Sequence, residues 1–151
     1  EVARKLGADV VLDLEQTTPQ ERLARINELT DGRGADITLE ATGNPQAIPE
    51  GMRLTRDAGR YVVVGQYTDA GDVSFNPHHD LNRKHLDVRA TWGIDFSHTY
   101  KALHALARFR SAFPWGSVIS RYYGLNQANE ALADVAAGRV VKAVLCPNGR
   151  P

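Results

Sequence analysis

The chain has 151 residues, about the length of one ordinary domain, and its 18 basic and 18 acidic side chains leave no formal net charge. No cluster of Lys or Arg predicts binding to nucleic acid, and no run of about 18 apolar residues could cross a bilayer, so we expect a cytoplasmic protein that binds neither nucleic acid nor membrane. A single cysteine, Cys146, excludes an internal disulfide and a multi-cysteine metal site in this sequence.

The first residues continue a helical pattern. Residues 1–7 have the apolar spacing of a helix that ends at Gly7 and lack an initiating Met, so we expect the sequence to be a piece of a longer protein. A short strand is predicted over residues 9–13. A helix follows, and Thr18 and Glu21 fit a capping box at its start. Its buried stripe is predicted to contain Leu23, Ile26 and Leu29.

Two apolar strands then stop at glycines. The first covers residues 36–41 and stops at Gly43, and the helix after it is predicted to end at Gly59. The second covers residues 60–65 and is rich in valine, which is typical of a parallel sheet covered on both faces. Ligands in such α/β folds bind where strands end, so we expect one ligand to lie across both strand ends. The alternative is that the two glycines only permit tight turns.

The second half continues the alternation after a polar, turn-rich stretch. Strands are predicted over residues 86–93, 117–125 and 140–147. The helix over residues 98–109 is predicted to turn Leu103, Leu106 and Phe109 inward. A last helix is predicted to begin at an Asn126 cap and to end at Gly138. This pattern indicates an α/β fold.

Three histidines, His78, His79 and His85, lie within eight residues. No carboxylate or cysteine completes a zinc motif with them, so we interpret this stretch as a surface loop and expect no metal site here. The sequence lacks both glycine-rich phosphate-binding motifs, G-x-G-x-x-G and the P-loop. It also lacks the hydrolase motif G-x-S-x-G and the zinc-protease motif H-E-x-x-H.

Five segments together resemble the C-terminal portion of zinc-containing medium-chain alcohol dehydrogenases, in the family's order and spacing. They are ARKLGADVVLD, LTDGRGADITLEATGNPQAI, GRYVVVGQY, FNPHHDLNRKHLDVRATWG and ANEALADVAAGRVVKAVLCP. The resemblance implies that residues 1–95 are the later part of a doubly wound, nucleotide-binding Rossmann domain. It implies that residues 96–151 are the segment that returns to a GroES-like catalytic domain. Zinc ligands, proton-relay residues and the acidic residue that selects NAD over NADP would all precede Glu1.

The same resemblance implies contacts to a nicotinamide dinucleotide and no catalytic residue within this sequence. The adenosine half would lie over Ala41, Thr42 and Gly43. The nicotinamide ring would lie along Val64, Gly65 and Gln66, with Thr91 and Trp92 beside it. Lys142 would face the pyrophosphate, the alternative being a solvated lysine.

The function implied is that of an NAD(P)-dependent alcohol or polyol dehydrogenase, in which zinc polarises the substrate oxygen and hydride passes between alcohol and nicotinamide. The resemblance also implies a homodimer or homotetramer. Two alternatives stay open, namely a zinc-free quinone reductase of the same superfamily and a non-catalytic dinucleotide-binding or assembly module. A Cys/His zinc motif upstream would favour the dehydrogenase, and its absence would favour the quinone reductase.

Overall fold

A computed structural model describes residues 1–149. Its helices are α1 (Val2–Lys5), α2 (Pro19–Leu29), α3 (Ala47–Leu54), α4 (Phe96–Arg108) and α5 (Ala128–Ala136). Its strands are β1 (Ala35–Glu40), β2 (Thr55–Val63), β3 (Asp87–Ala90), β4 (Arg121–Tyr123) and β5 (Ala143–Leu145). A π-helical turn spans Pro77–Asn82, and 3-10 turns span Trp115–Val118 and Leu125–Gln127. No helix in this described part is both long and apolar enough to span a membrane.

The chain contacts divide these elements between two compact units. The sheet unit is Leu12–Asp95, and the terminal unit combines Glu1–Val11 with the described residues from Phe96 onward. The assignment of residues 1–95 to a Rossmann domain and of residues 96–151 to a GroES-like domain stays a prediction.

The sheet unit contains a parallel sheet of order β1-β2-β3. The pairing runs from Ile37 opposite Arg60 to Glu40 opposite Val63, and Val63 in turn lies opposite Ala90 of β3. Since parallel strands need helical crossovers, this arrangement confirms the predicted α/β fold. All three strands therefore end at the same edge of the sheet.

Strand β2 begins five residues before its predicted start, so the helix predicted to end at Gly59 ends at Leu54 instead. The reason is Thr55, whose backbone N–H and hydroxyl both donate to the carbonyl oxygen of Gly51. Thr55 is fully buried beside Tyr61, the largest side chain in the core of the sheet unit. A Cβ on Gly51 would lie 2.6 Å from the Tyr61 hydroxyl, so helix and strand can approach this closely only at a glycine.

Helix α2 begins as predicted, with a capping box between Thr18 and Glu21. The buried residue of this helix is Arg22, which was not predicted to be buried. Its guanidinium forms a two-bond ion pair with Glu50, Nε to Oε1 at 2.6 Å and Nη2 to Oε2 at 2.9 Å. Leu29 was predicted to be buried and is exposed. The amphipathic spacing predicted the helix correctly, but a charged pair fills part of its inner face.

Two further predictions, one of pairing and one of burial, are wrong. The strand predicted over residues 9–13 does not form, because no strand within residues 1–149 pairs with it and a strand needs a ladder of hydrogen bonds. Helix α4 forms, but Leu103, Leu106 and Phe109 are exposed, and none of its described side chains is buried. Its apolar stripe exists without a covering surface in the described part of the chain.

The terminal unit pairs β4 in parallel with β5. The strand predicted over residues 117–125 is shortened because Trp115–Val118 forms a 3-10 turn. Asn126 is not the cap of the last helix: Gln127 Oε1 accepts from the Gly124 N–H at 3.0 Å, and α5 begins at Ala128. Gly138, with φ of 66°, lies just beyond the end of α5, close to the predicted terminus.

Candidate functional site

The candidate site lies at the carboxyl ends of β1 and β2. The 41–43 loop follows β1 and the 64–66 loop follows β2, so the structure brings these six predicted residues together. The N–H groups of Val64 and Gly65 both donate to the Glu40 carbonyl oxygen, at 2.9 and 3.0 Å. The two loops are thus joined through the last residue of β1.

Glycine is needed at both loops because their backbones touch. A Cβ on Gly65 would lie 2.6 Å from the amide nitrogens of Gly43 and Thr42, closer than any real packing contact. Gly43 also has a φ of 72°, which side-chain-bearing residues rarely adopt. The glycines therefore do more than permit turns, since they allow one strand-end loop to rest on the other.

Glu40 is the central residue of the site, and the sequence interpretation missed it. Its carboxylate is buried, with 4% of the residue exposed. Oε1 accepts from the Thr42 N–H at 2.7 Å, the Thr42 hydroxyl at 2.7 Å and the Gly43 N–H at 3.0 Å. Oε2 accepts from the Gly65 N–H at 3.1 Å. One carboxylate therefore bridges both loops.

The charge of Glu40 is stabilised by neutral donors. Burial raises the pKa of its carboxyl, but the hydrogen bonds from Thr42 and Gly43, with a smaller contribution from the nearby Gln66 amide, outweigh burial and hold the pKa below its ordinary value. Within residues 1–149 no lysine or arginine forms an ion pair with Glu40. The site therefore keeps an anionic carboxylate without a neighbouring cation.

The side-chain amide of Gln66 contains a buried donor that lacks a hydrogen-bond partner among the described residues. Its Nε2 atom is buried and makes no hydrogen bond of normal geometry, although the amide lies close enough to Glu40 to lower the pKa of that carboxyl. A buried N–H donor without an acceptor costs free energy, so such groups usually have a partner in the working state of a protein. Gln66 can donate to an acceptor that reaches this edge of the sheet.

The end of β3 completes the edge. The Thr91 N–H donates to the Val63 carbonyl oxygen at 3.2 Å, which places Thr91 directly beside β2. Trp92 is 78% exposed, its Nε1 donates to the Tyr67 carbonyl oxygen at 3.3 Å, and the two rings lie 5.8 Å apart. An apolar aromatic pair thus stands next to the 64–66 loop.

A groove opens beside the other loop. It has a volume of about 610 Å³ and runs along Leu39, Glu40, Thr42 and Gln46 toward α3. This volume lies in the range of small-molecule sites in proteins. The 41–43 loop therefore borders a space large enough for part of a nucleotide.

Lys142 lies apart from these eight residues in the chain and belongs to the terminal unit. It is exposed, it directly precedes β5, and its carbonyl oxygen accepts from the Ser120 N–H at 3.0 Å. Its predicted contact with pyrophosphate stays a prediction.

The histidine stretch has a structural arrangement of its own. Asn76 Oδ1 accepts from the N–H groups of His78 and His79, and the two imidazole rings meet edge to face at 4.9 Å. Across residues 1–149 no group of three or more His, Cys, Asp and Glu side chains is arranged to hold a metal ion. The described residues therefore do not fit a zinc site.

Comparison with known proteins identifies the family. A family model described as zinc-binding dehydrogenase matches residues 1–108, well over half of the chain. The chain belongs to the zinc-binding dehydrogenase family. The predicted resemblance to zinc-containing medium-chain alcohol dehydrogenases is confirmed.

Relatives in this family include 5-exo-hydroxycamphor dehydrogenase from Pseudomonas putida, 34% identical over 145 residues, covering 96% of this chain and 40% of that protein. Erythritol/L-threitol dehydrogenase from Mycolicibacterium smegmatis is 32% identical over 148 residues, covering 97% and 38%. An alcohol dehydrogenase structure from Thermotoga maritima matches with a TM-score of 0.86 at 33% identity, covering 95% of this chain and 39% of that one. The chain thus spans about two fifths of the length of these relatives.

Proposed function

We propose that the full-length protein is an NAD(P)-dependent alcohol or polyol dehydrogenase, and that this chain holds its nicotinamide dinucleotide. The observation that carries the proposal is the joined pair of glycine loops at the ends of β1 and β2, bordered by a groove. Ligands of open α/β sheets lie at this edge. The names of the relatives, which include dehydrogenases of a hydroxycamphor and of erythritol, support the alcohol or polyol class.

The residues present suit the parts of a dinucleotide that carry no phosphate. The exposed Trp92 ring and the 64–66 backbone would border the nicotinamide, and Gln66 Nε2 offers a donor to a carbonyl oxygen. The groove beside the 41–43 loop would receive the adenosine half. When bound, the nicotinamide supplies the hydride chemistry, while the chain orients the ring and shields one of its faces from water. Lys142 would provide the cation for the pyrophosphate.

Titration of the full-length protein with NADH and with NADPH, followed by Trp fluorescence, tests this proposal. We expect saturable binding of at least one dinucleotide, and oxidation of an alcohol or polyol when a panel of both is supplied. If the protein bound neither NADH nor NADPH, the proposal would be contradicted.

Light scattering on the same sample tests whether the full-length protein is a homodimer or homotetramer, as the family resemblance implies.

A further inference from the structure

The buried carboxylate of Glu40 does more than complete the core. It lies where β1 ends, and its two oxygens accept four hydrogen bonds from residues of two different loops. A structural ion pair would place a cation opposite the carboxylate, as Arg22 does for Glu50. Glu40 instead binds backbone N–H groups, so its contacts set the positions of main-chain atoms.

These contacts decide which groups remain available to a ligand. The N–H groups of Thr42, Gly43 and Gly65 are all directed at Glu40. Backbone N–H groups at strand ends are otherwise donors to phosphate. Because the carboxylate accepts from all three, sharing the Gly65 N–H with the Glu40 carbonyl oxygen, and carries a negative charge, the two loops suit a group without phosphate.

We propose that Glu40 is a positioning residue of the dinucleotide site: by holding the 41–43 and 64–66 loops at a fixed spacing, it shapes the edge for the parts of the cofactor that carry no phosphate. This inference rests on the proposed function. Glu40 touches neither substrate nor reacting atoms in this account, and it acts through the backbone of Thr42, Gly43 and Gly65.

Glu40→Gln is the sharpest test because it keeps the size of the side chain. A glutamine can turn its oxygen toward Thr42 and Gly43, but its NH₂ group then faces the Gly65 N–H, where donor meets donor. The 64–66 loop should therefore loosen selectively. Asp80→Asn is the matched control, since it removes the charge of a buried carboxylate of the same unit that contacts Arg53 and the Asn76 N–H, and neither loop.

Two measurements on the full-length protein separate positioning from stability. Hydrogen exchange of the free protein, read by mass spectrometry, should be faster in Glu40→Gln for peptides that contain residues 64–66, and unchanged there in Asp80→Asn. The dissociation constant for NADH should rise about tenfold in Glu40→Gln, the effect of losing one hydrogen bond to a charged group. It should stay at the native value in Asp80→Asn.

Thr42→Val provides a second variant if Glu40→Gln does not fold, since it removes the hydroxyl, which donates to Oε1 and accepts from the Asn44 N–H, and leaves the backbone bonds to Glu40. We expect it to weaken NADH binding several-fold and to speed hydrogen exchange in peptides that contain residues 41–43. Faster loop exchange with an unchanged dissociation constant for NADH would overturn the inference and leave the proposed function standing. Failure of the native protein to bind NADH or NADPH would overturn both.

Discussion

Two buried carboxylates, Glu40 in the sheet unit and Asp134 in the terminal unit, are stabilised in different ways. Asp134 accepts from the Tyr123 hydroxyl at 2.6 Å and pairs with Arg121 and Arg139 at 3.2 and 2.7 Å. Glu40 is bound by backbone N–H groups and a threonine hydroxyl, with no cation beside it among residues 1–149. The first arrangement braces a helix against a strand pair. The Glu40 contacts fix the spacing of the two loops, and no cation of the described residues pairs with the carboxylate. Carboxyl groups whose pKa is shifted by their surroundings are common at functional sites.

We expect the largest effect from a variant that forces the 41–43 and 64–66 loops apart by a steric clash. In Gly65→Ala the new methyl would meet the amide nitrogens of Gly43 and Thr42 at 2.6 Å. We expect a loss of about 1–3 kcal/mol in the free energy of unfolding, together with loss of detectable NADH binding. Urea unfolding and NADH titration check this.

The control for that variant is Gly116→Ala. No atom lies within 4 Å of the position where its Cβ would stand, so it should unfold and bind NADH like the native protein. Native-like NADH binding by Gly65→Ala would show that the close approach of the loops is irrelevant to the cofactor.

Asp134→Asn tests the buried carboxylate of the terminal unit. Its carboxyl pKa is lowered by the Tyr123 hydroxyl first and by Arg139 next, so loss of its charge weakens the brace. We expect a drop of a few degrees in Tm with no change in the dissociation constant for NADH. A large loss of NADH affinity in this variant would erase the distinction between the two carboxylates.

Acid unfolding should show how much the charge of Glu40 contributes to the free energy of unfolding. A carboxyl whose pKa is lower in the folded state stabilises the protein fully above its ordinary pKa, and the stabilisation is lost as the pH falls through the lowered value. The free energy of unfolding of the native protein should therefore fall more steeply on acidification than that of Glu40→Gln. Parallel curves for the two proteins would contradict the low pKa of Glu40.

The smallest expected effect concerns Lys142. If it faces the pyrophosphate, Lys142→Ala should weaken NADH binding by roughly tenfold or less, and more at low salt than at high salt. Lys101→Ala, which removes another exposed lysine of the terminal unit, should have no effect. Equal NADH affinity of the two variants and the native protein would remove Lys142 from the site.

The sequence allowed the two neighbouring strands β1 and β2 to be predicted, because apolar runs that stop at glycine are local patterns. Strand β1 formed close to its predicted bounds, β2 began five residues early, and the loops that follow them meet. The role of Glu40 required the fold, because its partner Gly65 lies 25 residues away. An acidic residue at the last position of β1, directly before the 41–43 loop, was the available signal.

The errors have a common physical cause. Hydrophobic periodicity predicts which face of an element is apolar, but it does not predict what covers that face. Leu103 and Leu106 of α4 lie on the predicted stripe and are nevertheless exposed. Likewise, residues 9–13 have strand-like composition, but pairing within the described residues does not occur.

The most direct test is hydrogen exchange of the full-length protein with and without NADH, read on peptides across the sheet unit. We predict slower exchange with NADH in peptides that contain residues 41–43, 64–66 and 91–92, and little change in the π-helical turn Pro77–Asn82. Saturable NADH binding that leaves these three segments unchanged, or that protects a different part of the chain, would contradict it.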